Sequence, residues 1–433
     1  MTRRLHWAWV VAGVTFVTLV GAAAFRSVPG VLMEPLHDEF GWSHGTIGFA
    51  VSVNLVLFGL FSPFAAALMD RFGVRRVVAT ALALVAAGSG LTVFMSESWQ
   101  LVMLWGVLVG VGTGSMSMAL VATVTSRWFV ARRGLVSGVL TAGSATGQLV
   151  FLPIVAHLAT HQGWRTAALV TAATALAVVP LVLLLLRDHP ADAGLTAYGA
   201  TEADPGPPPH VRSGSSSRRA LAVLATASRS STFWLLAGGF AICGMTTNGL
   251  IAVHFVPAAH DHGMATTTAA WLLAVVGIFD VVGTVLSGWL TDRWDPRMLL
   301  LGYYALRGVG LMTLPALLGP RPEPSIWLFI VIYGLDWVAT VPPTVALCRD
   351  RFGADVGAIV FGWIFAAHQF GAALAAWGAG LIRDTSGSYG PAFWTAAILC
   401  LVAAGMSAGI RPASKPKGPS VPSGGLTGPP ARR

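Results

Sequence analysis

Apolar runs of 20 or more residues recur along the whole chain, divided by short polar or charged turns. A helix of about 20 apolar residues crosses roughly 30 Å of hydrocarbon. Within lipid every backbone N–H and C=O must find its partner inside the segment, so each run is expected to be helical. The pattern predicts twelve spans, near 9–33, 46–68, 77–95, 99–123, 133–157, 165–187, 232–258, 268–291, 298–318, 325–348, 356–382 and 390–410. Residues 188–231 break the rhythm with a much longer interval rich in Pro, Gly, Ser and Arg, where 205–209 and 213–219 lack the apolar content to fold alone. The chain beyond Pro412 has the same character. The expected organisation is a six-helix bundle over 1–187, a cytoplasmic linker over 188–231, a second six-helix bundle over 232–411 and a disordered cytoplasmic tail over 412–433.

Composition agrees with the pattern. The chain is 55% apolar and only 10% charged, whereas soluble domains carry roughly 25% charged residues. A net charge of +9 raises the question of nucleic acid, and the placement of the charges answers it. With the N-terminus inside, all but five of the 27 Lys and Arg residues fall on the cytoplasmic side; Arg165, Arg321 and Arg383 fall outside, and Arg26 and Arg307 lie within spans. This positive-inside asymmetry puts both termini in the cytoplasm and makes the basic balance a matter of topology.

Cys243, Cys348 and Cys400 stand isolated on apolar runs, without CxxC or a His at ligand spacing, and read as packing residues rather than disulfide or metal partners. The start, Arg3-Arg4 followed by an apolar stretch and Ala22-Ala23-Ala24, mimics a secretory signal. The apolar segment continues to about Met33, so its retention as the first span is expected. No nucleophile–base pair, phosphate loop or metal cluster stands out, so neither an enzyme nor a cofactor is expected.

The two halves repeat. Asp70-Arg71-Phe72-Gly73-Val74-Arg75 after span 2 reappears 222 residues later as Asp292-Arg293-Trp294-Asp295-Pro296-Arg297 after span 8. Arg127, Gly138 and Gly147 recur at an offset of 224 as Arg351, Gly362 and Gly371. Two parallel six-helix repeats with a site at the midplane describe major facilitator transporters, and the Asp-Arg-x-Gly-x-Arg loop resembles that superfamily's cytoplasmic signature. The resemblance covers all twelve spans. It implies an all-α membrane protein of two pseudo-symmetric bundles that carries a small solute by alternating access. It also implies a cytoplasmic gate at Asp70, Arg71 and Arg75 with their copies Asp292, Arg293 and Arg297, since Asp and Arg at helix ends can cap facing helices and latch the halves through charge pairs.

Trp128-Phe129-Val130-Ala131-Arg132-Arg133-Gly134-Leu135, running on to Gly138 and Ala142-Gly143, resembles the span-5 signature of the monocarboxylate-porter branch. Trp7-Ala8-Trp9 resembles the end of that branch's span-1 signature, without its acidic-Gly-Gly opening. Arg132 and Arg133 are the specific part and are expected to join the cytoplasmic gate; the glycines also suit close helix packing. The branch's span-1 lysine is matched by Arg26, which can bind an anion but stays protonated. Its span-8 Asp is matched by Asp280, while the paired Arg position is Thr284. Drug-exporting branches carry a span-4 Arg and a Gly-Pro signature in span 5, neither of which is present. Gly110-x-Gly112-x-Gly114 lies inside an apolar span and is no dinucleotide fingerprint.

Ionisable residues at bilayer depth cost roughly 2.5–3.5 kcal/mol or more, so each needs a partner or a task. Five qualify: Arg26, Asp280, Arg307, Asp336 and His368. The family architecture lines the cavity with spans 1, 4, 7 and 10, which assigns Arg26 and Asp336 to substrate and Asp280 and His368 to proton coupling. Arg307 on span 9 either replaces the missing cation or neutralises Asp280 or Asp336. Two carboxylates against one local Arg leave one uncompensated, and a proton is then its means of avoiding a buried charge. Asn248, Asn54 and Gln148 are further substrate candidates, with His254 behind them, and each also suits an interhelical hydrogen bond. Pro342-Pro343 frees backbone carbonyls and is either a gating hinge or a static kink. The leading expectation is a proton-coupled carrier of a small organic anion in the plasma membrane; the alternative is an exporter of an amphipathic or toxic compound. Partners are the lipid bilayer, a small-molecule substrate and protons. A monomer is expected, and an accessory subunit stays open.

Overall fold

A computed structural model of the chain describes residues 6–201 and 216–411, apart from the side chains at a few helix positions, Arg26, Arg133 and Gln148 among them. The described residues form twelve long helices: α1 (Trp7–Phe40), α2 (His44–Phe72), α3 (Val74–Leu91), α4 (Ser98–Trp128), α5 (Arg133–Gln162), α6 (Trp164–Leu185), α7 (Ser231–Asp261), α8 (Thr266–Thr291), α9 (Pro296–Leu317), α10 (Pro324–Phe352), α11 (Ala354–Ser386) and α12 (Gly390–Ala408). Eleven are long and apolar enough among the described residues to cross a bilayer; α5, 30 residues long, completes the set the apolar pattern predicts.

The turns follow local chemistry. Ser43 caps α2 by accepting from the Thr46 N–H at 3.1 Å, which satisfies one of the donors that open any helix. Gly73, at φ 87°, reverses the chain between α2 and α3 in a conformation open to glycine. Arg132, at φ 62°, is the one non-glycine residue with positive φ among the described residues. It starts α5 inside the span-5 signature, so this part of the motif holds backbone strain.

The sequence echo turns out to be a packing code. Gly147 presses on the backbone of α1 at Val20, and its copy Gly371 presses on α7 at Ala241. Gly110 of α4 meets Asn54 of α2, and Gly334, at the 224-residue offset, meets Val276 of α8. Glycines let backbones approach closely where lipid gives no hydrophobic drive to associate. Gly110 and Gly114 face α2, whereas Gly112 faces α3, where a Cβ would stand 2.6 Å from Val85 and 2.7 Å from the Ala81 carbonyl. Gly112→Ala is therefore expected to lower the melting temperature of the purified protein. Gly138→Ala, with open space around its Cβ, is expected to leave it unchanged.

Two of the four helices that the family architecture expects to line the cavity are broken at matching places. α4 pauses between Ser115 and Met118, and α10 between Asp336 and Val341. α4 and α7 also contain wide π-helical turns, Val102–Val109 and Met245–Ile251, which often accompany functional sites.

Between the halves, composition alone predicts no structure over 213–219, yet a helix spans Ser216–Ala227. Tertiary support explains it: Ala220 and Ala227 are buried, and the Trp363 indole N–H of α11 donates to the Ala220 carbonyl at 3.0 Å. We call the end of the bundle bearing this segment the linker end, and the opposite one, where α2 begins and α11 finishes, the far end. The halves meet along α2 and α11, where Ser52 Oγ donates to the Ala373 carbonyl at 2.5 Å. They also meet where Gly30 of α1 presses on the Val253 carbonyl of α7.

Candidate functional site

The break in α10 exposes backbone groups at mid-depth, where none should be left unpaired. Pro342 and Pro343 bring no N–H, which releases carbonyls one turn earlier. Side chains of α8 and α9 take up the slack. Arg307 of α9 donates through Nη2 to the Asp336 carbonyl at 2.6 Å and reaches the Trp337 carbonyl at 3.4 Å. Its Nε pairs with Asp336 Oδ2 at 2.6 Å, and its Nη1 donates to Cys243 Sγ at 2.9 Å. Ser287 of α8 donates to the Ala339 carbonyl at 2.5 Å. Tyr304 and Tyr333 flank the guanidinium at 5.9 Å from each ring centroid, and Tyr333 anchors to the Thr246 carbonyl in the wide turn of α7 at 2.7 Å.

Several of the expected site residues meet in this arrangement. Arg307, 1% exposed, is the partner of Asp336, and its other contacts hold the α10 break. Asp336, expected to face substrate, is 3% exposed and turned into the second bundle toward Arg307. Its Oδ1 has no hydrogen-bond partner. Cys243, read as a packing residue, is a hydrogen-bond acceptor for Arg307 and lies 3.3 Å from Thr340 Oγ1. The sequence carries no signal for that contact because the residues are 64 apart.

Asp280 of α8 stands beside this knot without a cation of its own. Its Oδ1 accepts from Thr284 Oγ1 and from the Val338 N–H, each at 3.1 Å. Thr284 occupies the position of the branch's paired Arg, so a neutral hydroxyl has taken the place of a charge. The Val338 N–H is available because α10 is broken there. Asp280 is partly buried; it couples α8 directly to the break in α10.

The remaining candidates are spread over both halves. His368 of α11 is buried between Phe240 and Phe365, at ring distances of 4.9 and 5.7 Å, and its Nδ1 has no partner. Its neighbour Gln369 is 1% exposed, faces Gly59 of α2 and has neither amide atom paired. Sequence reasoning passed over Gln369 because a single Gln on an apolar helix carries no pattern. Asn248 sits in the wide turn of α7, partly exposed. Asn54 donates to the Trp105 carbonyl at 2.9 Å, an interhelical bond between α2 and α4. The backbone of Arg26 lies one turn before Gly30 in α1; its side chain, like that of Gln148, lies outside the described residues. His254 is buried, with Nε2 at 2.8 Å from the Ala376 carbonyl and Nδ1 at 3.3 Å from Tyr389 Oη.

At the linker end the signature loops pair inside each half. Asp70 forms an ion pair with Arg127, and Arg127 also reaches the Asp188 carbonyl at 3.4 Å. Asp188, just after α6, accepts from the Arg75 N–H at 2.8 Å and so caps the start of α3. Arg71 lies over Phe72 at 5.1 Å and Arg293 over Trp289 at 4.1 Å. Arg297 binds Asp295 and the Ile410 carbonyl at 2.8 Å; the hydrogen bond from Arg297 holds the Asp295 carboxyl below its ordinary range. The two halves differ here: Arg351, the copy of Arg127, has Nε and Nη2 buried without partners. Asp292 ends α8, Arg132 is exposed, and the Arg133 side chain lies outside the described residues.

The family model of the Major Facilitator Superfamily matches residues 15–376. The chain belongs to the major facilitator superfamily. Within it, the chain is similar to the uncharacterized MFS-type transporter YcxA of Bacillus subtilis (strain 168), 26% identical over 408 residues that cover 93% of this chain and 94% of that one. It is also similar to monocarboxylate transporter 11 of Homo sapiens, 28% identical over 405 residues, 91% of this chain and 81% of that one. Among solved structures, a D-xylose-proton symporter aligns with a TM-score of 0.73 at 15% identity, covering 94% of this chain and 98% of that one. A bacterial homolog of the human lysosomal transporter Spinster aligns at 0.71 and 14% identity, covering 93% and 96%. At such identities the likeness speaks for the fold. The protein is a multi-pass membrane transporter of small molecules, not an enzyme.

Proposed function

We propose that this transporter is a proton-coupled carrier of a small organic anion, with the linker end and both termini in the cytoplasm. The observation that carries the reading is the state of Asp280. Arg307 is committed to Asp336, and among the described residues Asp280 is met by a hydroxyl and a backbone N–H. Such donors accept either a carboxylate or a carboxylic acid, so the site tolerates a change of protonation that an Arg partner would oppose. The Val338 contact gives that change a route to the break in α10. The span-5 signature and the monocarboxylate transporters among the relatives support an anionic cargo.

Arg26 supplies the counter-charge for that anion, with Asn248 on the facing helix α7 as a second donor. The test is uptake of radiolabelled short-chain carboxylates into proteoliposomes. Arg26→Gln is expected to reduce uptake by about tenfold or more, the worth of one charge-assisted hydrogen bond; Arg26→Lys is expected to retain most of it. Transport competed by no carboxylate, together with raised resistance to amphipathic toxins on overexpression, would instead establish an exporter.

A further inference from the structure

At the far end, outside the site above, three elements from both halves converge on one histidine. His44, the first residue of α2 and 5% exposed, places Nε2 at 3.0 Å from Glu34 Oε1 of α1 and Nδ1 at 3.2 Å from Asp384 Oδ1 of α11. Asp384 also accepts from the backbone N–H groups of His44 and Gly45, at 3.1 and 2.7 Å. A carboxylate of the second half therefore caps the N-terminus of a helix in the first, where the helix dipole favours an anion. Every other charged or titratable neighbour has its own place. His37 of α1 lies against the His44 ring at 4.7 Å and bonds the Trp42 carbonyl. Arg383 is paired with Asp261 at the end of α7. Tyr389 lies at 6.3 Å from the His44 ring and contacts His254. His260 of α7 adds its field to Glu34.

A ring with carboxylate oxygens on both nitrogens is fully satisfied only as imidazolium, because neutral imidazole has a single N–H. We propose that His44 is a proton-operated latch that closes the far end by joining Glu34 of one half to Asp384 of the other. The inference rests on the proposed alternating access, in which α2 and α11 must part at this end, and not on Asp280 or on the cargo. An imidazole ordinarily titrates at about pH 6.5. A carboxylate on each nitrogen favours the charged ring, so His44 switches above that value; while it is protonated, the cation bridges both anions and the latch holds. As pH rises the ring loses one donor and its charge, and two carboxylates are left facing each other.

Spin labels on Gln162→Cys and Arg321→Cys, one exposed far-end position in each half, report this opening by electron–electron distance in the full chain in lipid nanodiscs. Cys243, Cys348 and Cys400 are buried away from label. The wild-type background is expected to give a short distance at pH 5.5 and to gain a longer population by pH 8. His44→Gln is expected to show the longer population at both values, and His44→Arg, a permanent cation, the short one at both. A wild-type distribution that ignores pH, or a His44→Gln protein that still follows it, overturns the latch. Uptake measured on the same preparations separates the two readings: pH-independent transport with a titrating distance would refute proton coupling and leave the latch standing.

Discussion

Arg307→Met is expected to be among the most damaging single changes in the second bundle, destabilising it by about 3–5 kcal/mol, the usual loss when one member of a buried ion pair is removed. The substitution strands Asp336 without its cation at a fully buried position. It also removes the donor that serves the carbonyls of Asp336 and Trp337 at the α10 break. Arg307→Lys is expected to fail too, because a single ammonium cannot cover a carboxylate, two carbonyls and a thiol in the geometry of the planar fork. The double change Arg307→Met with Asp336→Asn removes the stranded charge but not the unpaired carbonyls, so it should recover only part of the loss. Thermal unfolding of purified protein, followed by fluorescence, reads all three. An Arg307→Met protein melting within about 2 °C of wild type would mean that the break does not depend on this side chain.

Asp280→Asn is expected to abolish concentrative uptake driven by a pH gradient while sparing exchange of cargo across the bilayer. With one proton per monovalent anion, a gradient of one pH unit sustains about a tenfold accumulation, since each pH unit is worth 1.36 kcal/mol. An amide keeps the hydrogen-bonding shape of the protonated acid toward Thr284 and Val338 but cannot release a proton. Accumulation should therefore fall to about onefold, and counterflow with cargo on both sides should stay near the wild-type rate. Thr284→Ala removes one neutral contact and should shift the pH profile without uncoupling transport.

Much of the architecture was legible because a bilayer allows few solutions: apolar length predicts the spans, and the 222- and 224-residue echoes predict the repeat. The 224-residue echo also marked real contacts, as Gly147 and Gly371 on α1 and α7 demonstrate. Less of the site could be read. Asp280, Arg307, Asp336 and His368 stand out in sequence by their cost in lipid, but which carboxylate takes the Arg depends on rotations of α8, α9 and α10 that periodicity cannot supply. The role of Thr284 was visible as a loss, whereas its bond to Asp280 needed the structure. His44 and Asp384 were hidden for another reason. Each sits at a helix end, where a charged residue is ordinary, and only the packing of α2 on α11 brings together residues 340 apart. The helix at Ser216–Ala227 was missed because its support comes from Trp363 rather than from its own composition.

Proton movement tied to cargo is the central claim, and proteoliposomes loaded with a pH-sensitive dye measure it most directly. With no initial pH gradient, addition of a short-chain monocarboxylate panel should acidify the lumen in wild-type vesicles, at a rate that follows cargo uptake, and should leave Asp280→Asn vesicles at the rate of protein-free ones. Cargo entering without luminal acidification, or acidification preserved in Asp280→Asn, would contradict it.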